Sequence, residues 1–148
     1  MRCFEIVSDY IFEDIKLPTR KTKTSAGYDI ESARDVIISP GCTELIPTGL
    51  KAYMHDDEFL AIHVRSSVGI KRGLVLANGT GIIDSDYYNN LDNEGHIMIA
   101  LRNTTHGKVT IKKGERIAQG IFQKYLTVEN DKISDNVRTG GIGSTGEQ

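Results

Sequence analysis

The stretch DVIISPG, residues 35–41, is a short apolar run that ends in Pro40-Gly41. A Pro-Gly pair is a turn signal, so the run reads as a strand entering a turn. The same grammar recurs along the chain. FLAIHV (59–64), HIMIAL (96–101), KVTI (108–111) and RIAQGIF (116–122) are also short, apolar and separated by turn residues. Most of the 15 glycines fall between these runs. Short strands at regular spacing, joined by Gly, Pro and Asn turns, predict an all-β fold, a distorted jelly-roll barrel or sandwich. One short helix is expected over SVGIKRG, with Ser66 or Ser67 as its cap and Gly73 near its stop.

The chain has 148 residues, a length that suits one domain. Such a domain can bury roughly 70% of its unfolded surface and needs no staples. Net charge is −2, from 18 basic and 20 acidic residues, with no basic stripe for a nucleic acid. No apolar run approaches the ~20 residues of a membrane helix. The N-terminus, MRCFEIVSDYIFEDIK, alternates apolar and polar residues and carries acids, unlike a signal peptide. Cys3 and Cys42 are too few for a disulfide framework. The expected location is cytoplasmic, with both thiols free. Residues 1–126 are expected to form the domain. TVENDKISDNVR (127–138) is polar and linker-like, and the Gly-rich end, TGGIGSTGEQ, has few side chains to pack. Residues 127–148 are therefore expected to be a mobile arm.

Several readings fail on spacing. GIGSTG (141–146) fits G-x-G-x-x-G, but the sequence stops two residues later, where a dinucleotide site needs a helix. Glu147 stands where a Walker loop requires Lys. A loop rich in Gly, Ser and Thr can still wrap phosphate oxygens. A calcium loop starting at Asp84 would place Asn89 at its glycine position, and one starting at Asn90 would place Leu101 at its glutamate position. His55, His63, His96 and His106 show no zinc spacing.

Four segments carry chemistry. AGYDI (26–30) sets Asp29 after a glycine, near the start of a strand-like run. RSSVG (65–69) joins an arginine and two hydroxyls to a helix start, which suits phosphate. GIIDSDYYNN (81–90) runs two aspartates into two tyrosines; if extended, Asp84 and Asp86 share a face. GERIAQG (114–120) sets Gln119 in an otherwise apolar strand, where an amide needs partners.

In order, AGYDI, RSSVG, GIIDSDY, GERIAQ and TGGIGSTG resemble the five motifs of the trimeric dUTP diphosphatases (dUTPases), from about residue 24 onward. The resemblance implies a jelly-roll homotrimer with shared active sites and a Mg²⁺ cofactor. It implies hydrolysis of dUTP to dUMP and pyrophosphate, which limits uracil in DNA and supplies dUMP for thymidylate synthesis. By resemblance, Asp84 activates the attacking water on the α-phosphate and Gln119 helps hold that water. Arg65, Ser66 and Ser67 contact phosphates, and Asp29 contacts Mg²⁺ through water. Asn78, Gly81, Ile83 and Met98 belong to the base-binding region, and Tyr87 packs beneath the deoxyribose and excludes a 2′-hydroxyl. Arg138, Gly141, Ile142, Ser144 and Thr145 belong to the arm, which in the family closes over a neighbouring subunit's site.

Three features depart from the family's pattern. Ile142 stands where Phe usually stacks on uracil; Tyr88 and His96 are substitutes by proximity alone. Arg138 sits one residue nearer the glycine pair. The turn after the third motif is expanded to DYYNNLDNEG (86–95). The related dCTP deaminases carry a glutamate where this chain has Ala100, and a methyl group cannot shuttle protons. A dCTP deaminase-like or bifunctional enzyme stays as an alternative that Ala100 disfavours. A non-catalytic nucleotide-binding or regulatory domain, with a protein partner at the hairpin, is a rival of another class; it has no need of the base, glutamine, metal carboxylate and phosphate groups together.

Overall fold

The computed structural model describes residues 1–133 and 138–141. Twelve strands are present among them. They are β1 Cys3–Ile6, β2 Thr19–Arg20, β3 Tyr28–Glu31, β4 Val36–Ile38, β5 Thr43–Pro47 and β6 Leu50–Tyr53. Then come β7 Glu58–Val64, β8 Leu74–Leu76, β9 Gly81–Asp84, β10 Met98–Asn103, β11 Val109–Ile111 and β12 Arg116–Lys124. The strands form a five-stranded sheet in the order β2-β3-β12-β7-β9 and a three-stranded sheet β5-β10-β8. Two-stranded ribbons β1-β6 and β11-β4 complete the jelly-roll-like shell, and the pairings are antiparallel.

All four sheets feed one core. Ile30, Leu60, Ile62 and Ile117 come from the large sheet and meet Ile46, Ile99 and Leu101 from the small one; Leu50, Ile38 and Ile111 come from the ribbons. Alternation explains the sidedness: in antiparallel strands every second residue turns inward. Inside the core, Asn103 is fully buried yet satisfied. Its amide donates to the carbonyls of Ile38 and Gly107, both at 2.8 Å, and accepts from Thr105 N–H at 2.9 Å. A buried amide is tolerated only with such partners.

The five runs read as strands in the sequence are strands, with shifted ends. HIMIAL starts pairing only at Met98, because Ile97 N–H donates to Leu50 O (2.8 Å) and His96 Nε2 accepts from Gly49 N–H (2.8 Å). The short helix spans Ser67–Lys71 as a single wide π-type turn, and Gly73 follows it at φ +65°. The cap expectation fails for Ser66. Its backbone is already helical, at φ −57° and ψ −40°, so its hydroxyl makes no cap hydrogen bond. Two 3₁₀ turns, Ser8–Tyr10 and Ser85–Tyr87, were not expected. No helix among the described residues is long and apolar enough to cross a membrane.

His96 gives the fold a pH dependence. It packs on the Tyr10 ring (5.0 Å between centroids) and uses its bare Nε2 as acceptor. Burial pushes its pKa below the ordinary histidine value, against the pull of Asp9 and Glu94 and with a small push from Arg34. The folded state therefore holds His96 neutral while the unfolded chain takes up a proton below about pH 6.5. Its contribution is complete above that pH and is lost as pH falls. Urea midpoints measured at fixed concentration should drop from pH 7.5 to 5.5, and the drop should shrink in His96→Gln.

Candidate active site

A cavity of about 500 Å³ opens between β9, β10 and the 86–95 hairpin. Its walls include Asn78, Gly81, Ile83 and Met98, the predicted base-binding residues, together with Asp84 and Tyr87. Arg138 and Gly141 from the arm also line it. The facing of two sheets brings them together. β9 of the large sheet presents Gly81–Asp84 and β10 of the small sheet presents residues 98–100, while the hairpin supplies Tyr87, Asp92 and Asn93.

Tyr87 is the best-fixed group in this cavity. Its hydroxyl donates to His96 O (2.7 Å) and accepts from the Asn93 amide (2.8 Å). Burial raises its pKa, so the phenol stays a protonated donor. The ring is thus a rigid floor. A charged group lies beside the ring. Arg138 donates from Nη2 to Asp84 Oδ2 (2.6 Å) and from Nε to Asp86 Oδ1 (2.7 Å). Asp84 is the last residue of β9 and Asp86 lies in the following 3₁₀ turn, so strand alternation does not relate them. One forked guanidinium relates them instead.

The remaining predicted site residues form a second cluster elsewhere on the large sheet. Asp29, Gln119 and His63 are consecutive partners across β3, β12 and β7, so their side chains share one row. Asp29 Oδ1 meets Arg65 Nε at 3.3 Å, and Oδ2 meets Arg116 Nη1 at 3.5 Å. Ser66 and Ser67 lie exposed beside Arg65. Gly27 makes room for Gln119: a Cβ at that position would collide with the Gln119 side-chain oxygen.

The two clusters do not meet within one chain. Gln123 is four residues beyond Gln119 on β12; it pairs with Phe59, which pairs with Asp84. At ~3.3 Å per residue and ~4.8 Å per strand, Asp84 and Gln119 are about 16 Å apart. Side chains stand roughly perpendicular to a sheet and do not close such a lateral gap. One water cannot touch both residues of the same chain.

The expanded hairpin is a fixed structure. Asn90 Oδ1 accepts from the N–H groups of Asp92 and Asn93, both at 3.0 Å, and its amide donates to Tyr87 O (2.8 Å). Buried Lys51 donates to Asn89 (2.6 Å) and Glu94 (2.7 Å), while Ser8 N–H also reaches Glu94 (3.1 Å). Gly95 closes the turn at φ +86°, where a Cβ would strike the backbone of Tyr87.

Neither candidate to replace the phenylalanine ring that stacks on uracil lines the cavity. The Tyr88 hydroxyl donates to Glu5 (2.6 Å) and its ring packs edge-on against Tyr53. Hydrogen bonding to Glu5 pushes its pKa up to about 12. His96 is committed to Gly49 and Tyr10. Ile142, Ser144 and Thr145 lie outside the described residues. Sequence reasoning missed Asp92, Asn93 and the apolar walls Ile62, Leu76 and Ile99. The hairpin's unusual length was the only signal for the first two, and nothing marked the third group as more than core. Among the described residues, one trio of His, Asp and Glu is close enough to share an ion: His55, Asp57 and Glu58. None of the three lines the cavity, and Glu58 already holds Arg2 (2.7 Å) and His55 N–H (3.0 Å).

Residues 13–146 match the protein-family model dUTPase. A Lactococcus lactis protein named deoxyuridine 5'-triphosphate nucleotidohydrolase is 52% identical over 147 residues, covering 99% of this chain and 98% of its own. The crystal structure of dUTPase from Streptococcus mutans aligns with a TM-score of 0.82 at 46% identity, over 86% of this chain and 99% of that one. A dUTPase of Staphylococcus aureus phage phi11, a structure concerned with a structural Mg(II) ion, shares the fold at TM-score 0.75 and 23% identity, over 92% and 98% of the two chains.

Proposed function

Because the chain belongs to the dUTPase family, with residues 13–146 matched and a relative 52% identical along nearly its whole length, we propose that it hydrolyses dUTP to dUMP and pyrophosphate. The observation that carries this is the cavity, which gathers base-facing residues, a fixed aromatic floor and a terminal carboxylate in one place. Uracil lies against Asn78, Gly81, Ile83 and Met98. Deoxyribose packs on Tyr87, whose anchored ring leaves no space for a 2′-hydroxyl. Asp84, at the mouth, takes the proton from the attacking water as its oxygen bonds to the α-phosphorus and pyrophosphate departs.

The second cluster supplies the phosphate end. Arg65 and the Ser66 and Ser67 hydroxyls bind phosphate oxygens, and Gln119 orients the water. Asp84 and Gln119 are too far apart in one chain, so each site joins the cavity of one subunit to the Asp29–Arg65–Gln119 cluster of another. A homotrimer closes such a heterologous contact into a ring. Asp29 fits Mg²⁺ only through water. It is a single carboxylate with a guanidinium near each oxygen, whereas Mg²⁺ keeps several waters and takes its remaining ligands from phosphates. When bound, the ion neutralises charge on the triphosphate. Ala100 lines the cavity wall and offers no carboxylate for deamination.

Pyrophosphate release from dUTP with Mg²⁺, measured beside dCTP and UTP, tests the proposal. Release from dUTP alone supports it, and ammonia release from dCTP would overturn it. Tyr87→Ala should narrow the preference for dUTP over UTP roughly tenfold, the worth of one lost steric contact. An unchanged ratio of kcat/KM values would remove Tyr87 from the sugar site.

A further inference from the structure

The proposed hydrolysis assigns a step to no hairpin residue but Tyr87, yet the hairpin meets the described arm residues 138–141. Arg138 is only 12% exposed, although both of its carboxylate partners are largely exposed. Asp86 takes its Nε and Asp84 its Nη2. One turn further along, Asp92 N–H donates to Thr139 O at 2.7 Å. A Cβ built at Gly140 would lie 3.0 Å from Asp92 Cβ, and one at Gly141 would lie 3.2 Å from the Tyr87 ring. The Arg138 guanidinium itself sits 5.9 Å from that ring's centre. Four consecutive arm residues therefore follow the hairpin surface, with backbone and side-chain contacts in register.

The other side of the hairpin is equally engaged. Lys51 and Ser8 hold it to the body of the domain, and the Asn90–Asn93 bond braces it from within. It is a rigid strip between the fold and the arm. We propose that the 86–95 hairpin is the docking face for residues 138–141, and that Asp86 is a positioning residue for Arg138. The proposal rests on the dUTPase reading for its kinetic consequence alone. The guanidinium meets Asp84 Oδ2 through Nη2 and Asp86 Oδ1 through Nε. When a triphosphate arrives, the Nη end turns from Asp84 to phosphate, and Asp86 keeps the Nε end on the hairpin. Asp84 is then released to the water while the arm stays in register. The same contacts serve an arm from this chain or from a neighbouring copy.

The test is a disulfide trap that needs no activity. Asp92→Cys with Gly140→Cys, in a Cys3→Ser, Cys42→Ser background, is oxidised with oxidised glutathione and run on non-reducing gels. The two Cβ positions must part by only about 0.5–1 Å to reach disulfide spacing. Cross-linking is expected, within a chain or between chains according to whose arm docks, and Asp86→Asn should lower its yield several-fold. No bond above a Gly107→Cys, Gly140→Cys control, or a yield indifferent to Asp86, overturns the docking face. Separately, Asp86→Asn should lower kcat/KM for dUTP about tenfold, the worth of a charge-assisted hydrogen bond. The melting midpoint should hold, and Asp86→Glu should restore most of the rate. Trapping without a rate effect would leave the hairpin as a dock but remove Asp86 as a positioning residue. Trapping in a protein inactive on dUTP would overturn the enzymatic reading and keep the dock.

Discussion

Asp84→Asn is expected to lower dUTP turnover about 10³-fold, within the range that a positioned general base contributes. The substitution keeps the size and shape of the side chain and removes only its ability to take a proton. The side chain is half-exposed at the end of β9, so the core is not disturbed. The amide oxygen can still accept one hydrogen bond from Arg138, so the arm contact weakens without vanishing. Binding of dUTP, measured by calorimetry with Mg²⁺, should therefore stay within a few-fold of the parent. Joint loss of binding and of the folded trimer would make Asp84 a structural residue.

The second large effect is a rescue. Asp84→Asn and Gln119→Ala should each be nearly inactive as pure proteins. Unfolded together in equal amounts and refolded, they should regain about a quarter of parental activity, the statistical share of sites built from one intact cavity and one intact glutamine cluster. The prediction follows from register. Asp84 and Gln119 are two strands and four residues apart, so if both serve one site, as proposed, that site needs two chains. A mixture no more active than its parts would mean that a single chain assembles the whole site. The Gln119 position is sensitive by itself, because Gly27 is packed directly beneath the amide.

Much of this molecule could be read in one dimension. DVIISPG, FLAIHV, KVTI and RIAQGIF became strands because alternation and turn residues act over a few positions. Strands β5, β6 and β8 were not legible in this way. TELIP, LKAY and LVL are three to five residues long, and their pairing partners, not their own patterns, make them strands. Asp84, Tyr87, Asn78 and Met98 were named from motif order, and one cavity holds all four. Tyr88 and His96 were named from proximity in sequence, and both point into other networks. Adjacency along a chain does not predict direction once a 3₁₀ turn intervenes and, before His96, three positive-φ residues.

By itself the sequence determined the strand-and-turn alphabet, the all-β class and the set of chemical groups available, since these depend on side-chain type and short-range periodicity. Tertiary structure decided which of those groups share a site. It put Asp84 and Gln119 on distant parts of one sheet, set Asp29 and Gln119 side by side, and bound Asp86 to a guanidinium 52 residues away. The physical reason is that register and long-range pairing are set by the burial of whole faces. No local pattern carries that information.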